Sequence, residues 1–192
     1  VILAIGLRSA LAGLLVSHPD EYSPLCGRDL VAANVRLLVT MAVLEFDKYG
    51  KGEFNWRMDG PSAARVLDAW PVPVVLSSSG WKILTGEKLM RETSLNHPLN
   101  FIYRTYLDGI GPSRPSWDQT AVLYALGRTD MFNVLWGRRL RYDQSGDVFS
   151  WEDDPEHSFG YAVPVLSDEN MAQIIEEMMI DAGSAEENHF NK

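Results

Sequence analysis

Apolar residues gather along this chain in blocks rather than at every second position. Val1-Ile2-Leu3-Ala4-Ile5 is one such block, Val35 to Ala42 (VRLLVTMA) a second and Val72 to Leu76 (VPVVL) a third. Short β-rich runs without polar alternation predict strands covered on both faces, the environment of a parallel sheet. Helical segments separate them. A Gly6 turn leads into a helix from about Ser9 to Ser17, and His18-Pro19-Asp20 and Ser23-Pro24 punctuate the loop that follows. Asp47 to Gly52 reads as a polar loop leading to Glu53-Phe54-Asn55-Trp56. Asp59, placed before Gly60-Pro61-Ser62 and the set Ala63, Ala64, Val66 and Leu67, predicts a helix with an acidic cap and an early proline.

The second half follows the same grammar. Helices are expected near Gly86 to Arg91 and Pro98 to Leu107. Another starts at Ser116, which has capping-box spacing to Gln119. Arg138 to Asp143 and Asp147 to Trp151 flank Gln144-Ser145-Gly146 as a polar hairpin. From Ser167 a last helix carries Met171, Ile174, Ile175, Met178 and Met179 at helical spacing, a stripe that reads as core. Ser184 to Lys192 lacks periodicity and reads as a frayed tail. The whole predicts an α/β fold: a mostly parallel sheet flanked by helices, with a small hairpin near the C-terminal region. No linker or repeat interrupts it, so residues 1–182 are expected to form one domain, followed by a polar tail, 183–192.

Composition narrows the functions open to such a fold. Of the 192 residues, 17 are Lys or Arg and 26 are Asp or Glu, giving a formal charge of −9. That balance argues against a nucleic-acid partner, which requires clustered basic residues. A single cysteine, Cys26, excludes an internal disulfide framework and a multi-cysteine zinc site. No apolar run reaches the roughly 18 residues of a membrane span. The stretch Ala10 to Val16 after Arg8 lacks the flanks of a signal peptide. Since Val1 already lies inside a strand, the chain is expected to be the C-terminal part of a longer protein. Its compartment stays open, the cytoplasm placed ahead of a secreted or periplasmic location.

In open parallel sheets, ligands gather at the carboxyl ends of the strands. Ser9 follows the first run, Glu53 and Asn55 lie in the loop after the second, and Ser77 to Ser79 follow the third. Asp118 stands in the first turn of a helix, where a carboxylate also favours the helix dipole without any function. Glu53 and Asn55 also fit ordinary loop positions. The serine triplet reads first as turn chemistry, because it lacks the G-x-S-x-G elbow of an acyl hydrolase. His18, His97, His157 and His189 show no metal-ligand spacing, and His157 alone stays a candidate, next to the acidic run Glu152 to Glu156.

Three blocks in order resemble the nucleoside hydrolase family, of the inosine–uridine-preferring type. Gly6-Leu7-Arg8-Ser9-Ala10-Leu11-Ala12 resembles that family's G-P-L-T-N-x-A turn. Glu53-Phe54-Asn55 with Asp59 and its small-residue helix resembles the E-F-N…D-P-x-A-A block, and Trp117-Asp118 resembles the H-D pair. The resemblance implies an N-ribosyl hydrolase that cleaves the N-glycosidic bond of nucleosides with a calcium-activated water, and commonly a homo-oligomer. It implies Glu53, Asn55 and Trp117 as substrate-binding residues, and Asp118 and the backbone carbonyl of Ser9 as ligands of Ca²⁺. The family's Asp-rich segment, with the general base and most calcium ligands, would lie upstream of Val1, and the isolated piece is then expected to be inactive. Differences from the pattern accompany the likeness: Trp117 stands where the family has His, and Leu7-Arg8 and Ala10 replace Pro-Leu and Asn. Trp117, together with the stretch Met41 to Gly52 before Glu53, which departs from the family's Gly-rich pattern, supports an alternative, a non-catalytic or other-glycoside-binding member of the same fold.

Overall fold

In the computed structural model, which describes residues 1–42, 50–108, 111–144 and 148–187 with side chains up to 182, the apolar runs become the strands of one sheet. They are β1 (Ile2–Ala4), β2 (Leu38–Met41) and β4 (Val74–Ser77), the last two buried at every position. β1 lies parallel to β2, and β2 to β4, with Ile2 opposite Leu38 and Leu38 opposite Val74. β10 (Gly160–Pro164) adds a fourth parallel strand beside β4, and β7 (Phe132–Leu135) completes the order β1-β2-β4-β10-β7. This is the α/β architecture expected from the sequence, a mostly parallel sheet with flanking helices.

The chain divides into two compact units, and the sequence marks none of the three crossing points with a linker. The first comprises Val1–Ser78 and Ala121–Val163. It holds the sheet, α1 (Ser9–Leu15), α2 (Gly27–Asn34), α3 (Phe54–Met58) and α4 (Gly60–Ala69). Leu38, Leu76, Val74 and Ala4 from the strands pack with Ala12, Val31, Trp56, Ala63 and Val66 from these helices in one core. A second, antiparallel sheet pairs β8 (Arg138–Asp143) with β9 (Val148–Asp153), and β9 on its other edge with the short β3 (Gly50–Lys51). This is the expected hairpin. Its tip at Ser145-Gly146 and residues 47–49 of the loop expected at Asp47 to Gly52 lie outside the described residues, while Gly50 and Lys51 of that loop pair with β9 as β3.

The other unit comprises Ser79–Thr120 and the chain from Pro164 onward, so the division at Thr120 falls within α7 (Trp117–Ala125). Its remaining elements are β5 (Leu84–Thr85), α5 (Glu87–Glu92), α6 (Pro98–Leu107), β6 (Arg114–Pro115) and α8 (Asp168–Glu187). Leu89, Tyr103 and Leu107 form its core with Met179 and Ile180. The methionine stripe of α8 is core at Met171 and Met179, while Met178 remains 41% exposed. Helix α8 continues through Glu187, past the point where fraying is expected, since Ala185 and the following glutamates are good helix formers. The buried carboxylate of Glu176 accepts from the backbone N–H groups of Gly86 (2.6 Å) and Leu89 (3.3 Å) at the start of α5.

The capping box expected at Ser116 and Gln119 does not form. Ser116 N–H donates to the carbonyl of Ile83 (2.9 Å) instead, its hydroxyl pairs with Thr85 (2.7 Å), and the Gln119 amide donates to Tyr103 Oη (3.0 Å). Buried tertiary partners have displaced the local motif.

Helix α2 packs on α1 through its first residue. A Cβ built on Gly27 would fall 1.6 Å from the Leu14 carbonyl oxygen and 2.4 Å from Ser17 Oγ. Gly27→Ala is therefore expected to lose about 1–3 kcal/mol of stability in urea denaturation; an unchanged midpoint would contradict this packing.

Candidate functional site

The carboxyl end of β1 runs directly into a turn, Gly6 to Arg8, and then α1. Arg8 is not the surface residue its charge suggests: it is 2% exposed. Its guanidinium folds back on the turn, donating to the carbonyl of Gly6, and reaches across to donate to the carbonyl of Met41 at the end of β2. Trp56 Nε1 donates to the same Met41 carbonyl (3.3 Å), and the Arg8 guanidinium stands 5.6 Å from the centroid of the Trp56 ring. A buried guanidinium is costly unless its donors find acceptors, and the two strand ends supply them.

Trp56 belongs to α3, which the sequence reading leaves as loop. Glu53 is the reason a five-residue helix starts there. Its carboxylate accepts from the N–H groups of Asn55 (2.9 Å) and Trp56 (3.2 Å), as a capping acid does. The Asn55 amide lies 3.4 Å from the same carboxylate. Both side chains are half-buried. Burial pushes the Glu53 carboxyl above its ordinary range, against the opposing pull of the Asn55 N–H, the positive charge of Arg8 and the Trp56 N–H.

One turn later Asp59 ends α3 and caps α4, accepting from Ser62 N–H (3.3 Å), with Pro61 in the first turn as expected. The Ser9 hydroxyl also donates to Asp59. These bonds hold the Asp59 carboxyl below its ordinary range, the Ser9 hydroxyl contributing most. Ser9, Glu53, Asn55 and Asp59 thus lie in one unit, tied by the Ser9–Asp59 and Glu53–Asn55 bonds. Arg8, which sequence reasoning passed over as a mere replacement in the turn, stands among them.

Trp117 and Asp118 lie in the other unit, in the first turn of α7, both half-buried. The Trp117 ring sits 5.6 Å from that of Trp81, and the Arg114 guanidinium 5.9 Å from it. Arg114 also covers the Tyr106 ring at 4.2 Å. Tyr106, Arg114, Tyr103, Ile102 and Gln119 line a cavity of about 180 Å³. Gly80 permits the close approach beneath Trp117. Its φ is +128°, and a Cβ there would meet the Trp117 backbone at 2.5 Å.

The remaining candidates do not form a site. Ser77 and Ser78 are buried, and their hydroxyls have no partner among the described residues. A serine nucleophile needs a base within hydrogen-bond reach. His157 is exposed on its loop, with Nδ1 3.2 Å from Asp154. His189 lies outside the described residues. No three His, Cys, Asp or Glu side chains converge to hold a metal among the described residues, and no described helix is long and apolar enough to cross a membrane. The two expected calcium ligands, the Ser9 carbonyl and Asp118, belong one to each unit. Calcium takes six to eight oxygens, whereas here a permanent guanidinium occupies the Gly6 and Met41 carbonyls and the Ser9 hydroxyl is committed to Asp59.

No family model matches the chain, and no curated protein matches it. Among solved structures, it is similar to the inosine-uridine preferring nucleoside hydrolase from Bacillus anthracis. The match covers 93% of this chain at 17% sequence identity, with a TM-score of 0.61. The chain spans 59% of the length of that protein. At this identity the likeness establishes the fold, which is nucleoside hydrolase-like.

The two acids respond oppositely to pH. Glu53, whose carboxyl is raised in the folded state, favours folding most when protonated, and that contribution falls as pH rises through its folded value. Glu53→Gln is therefore expected to melt higher than the wild type at neutral pH, with the gap closing in acid. Asp59, held low, stabilises above its unfolded value and loses that effect as pH falls. Asp59→Ala should lower the melting temperature at pH 7, by progressively less as pH falls below the ordinary aspartate range. Parallel thermal melts of the two variants across pH check both signs.

Proposed function

We propose that the protein containing this chain is an N-ribosyl hydrolase, cleaving the N-glycosidic bond of a nucleoside or related glycoside. The observation that carries this reading is the Glu53–Asn55 pair, held on the N-terminus of α3 beside the carboxyl ends of β1 and β2. Glycosidic cleavage passes through an oxocarbenium-like sugar, so its site must grip hydroxyls and offer negative charge to the ring. Glu53 supplies a carboxylate whose orientation is already spent on capping, leaving acceptor capacity for hydroxyls. Asn55 adds an amide able both to donate and to accept. The fold likeness supports the same class.

Trp117, which belongs to the other unit with Trp81 beside it, presents an aromatic face able to stack on a base, the substrate-binding role the resemblance implies for it. No step assigned to this chain passes through a metal ion; its residues bind and orient. A second reading, a glycoside-binding protein that does not hydrolyse, is favoured by Trp117 in the position of an acid-capable His and by the buried cation Arg8.

Assay of the full protein with inosine and uridine separates the readings. The hydrolase reading expects release of free base, with Glu53→Gln reducing kcat/KM by about 10²-fold. Riboside binding without release would select the binding protein. Neither binding nor release would contradict both.

A further inference from the structure

We propose that Arg8 is the resident cation of this site, so that the residues at the carboxyl ends of β1 and β2 take their neutral polyhydroxyl ligand without a divalent ion. The ligand class rests on the reading under Proposed function. The role of Arg8 rests on its own geometry.

An arginine cannot shed its charge by deprotonation in a protein. Arg8 is 2% exposed, so the charge is a fixed property of the fold. It stays buried because the structure compensates it on several sides: the carbonyls of Gly6 and Met41 accept from it, Trp56 presents a ring face, and Glu53 acts on it as a negative charge. Two of these groups are Trp56 in α3 and Glu53 at its N-cap, and the Met41 carbonyl is shared between Arg8 and Trp56. The guanidinium therefore sits on the turn and beside the very carboxylate assigned to the sugar.

A divalent cation at the same turn would face a buried positive charge and would have to compete for carbonyls already bonded. In the family the sequence resembles, this turn position is apolar, and a metal can supply the positive charge there. In this chain the side chain supplies it. Arg8 thereby acts as a positioning residue: it anchors α3 to the strand ends and balances the charge of Glu53.

The inference is tested on the full protein containing this chain by two titrations. In the first, calcium alone is added to metal-free protein and followed by calorimetry and by melting temperature. Silence in both is expected, and saturable heat with a raised melting temperature would overturn the proposal. In the second, inosine is titrated with chelator and then with calcium. Equal affinity in both is expected; affinity that needs calcium would overturn the proposal. Failure of inosine to bind under either condition would contradict the glycoside reading, while the calcium titration still decides the role of Arg8. Arg8→Lys retains the charge and loses the forked donors, so inosine affinity should fall about tenfold with no gain of calcium dependence. Calcium-restored binding in that variant would also overturn it.

Discussion

A permanent positive charge enclosed at the ends of two neighbouring strands is the constraint around which this site is organised. Arg8 bonds the carbonyls of Gly6 and Met41, so the turn after β1 is pinned to the end of β2. Trp56 joins the same carbonyl and thereby places α3, and α3 carries Glu53 and Asn55. Removing the guanidinium would leave more than a gap. It would release the Met41 carbonyl from one of its donors and leave Glu53 desolvated without its nearest described counter-charge.

The acids here serve two purposes at once. Glu53 and Asp59 each cap a helix, which fixes where their oxygens point, and each is at the same time a polar group near a strand end. Capping orients a side chain with backbone N–H groups, which do not move when a ligand arrives. The cost appears at Glu53, whose burial works against its charge.

Much of the architecture was legible because its central strands are unbroken apolar runs. β1 and β2 fall within the segments expected, β4 overlaps its own and runs one residue beyond it to Ser77, the hairpin strand Arg138–Asp143 matches to the residue, and α4 follows from Asp59 and Pro61. β10 escaped notice because it starts at a glycine and ends at a proline. Gly160 is there for a tertiary reason, since a Cβ would press on Val134, Trp136 and Val75 at 2.8–2.9 Å. Helix α2 offers few apolar residues besides Leu30 and Val31, and it reads as loop after Pro19 and Pro24. At the site, Ser9, Glu53 and Asn55 were visible as residue types after strands. The burial of Arg8 was not, because it depends on a carbonyl 33 positions away. Trp117 and Asp118 were visible as a pair at a helix start, but no local pattern revealed that the chain divides within that helix.

The central claim is that the ligand meets this protein at the strand ends held by Arg8, through Glu53 and Asn55. Backbone amide chemical shifts followed by NMR during an inosine titration test it most directly. The account predicts that the earliest and largest changes fall on Gly6 to Ala10 and on Glu53 to Trp56. Saturable changes confined to other parts of the chain, with these two segments still, would contradict it.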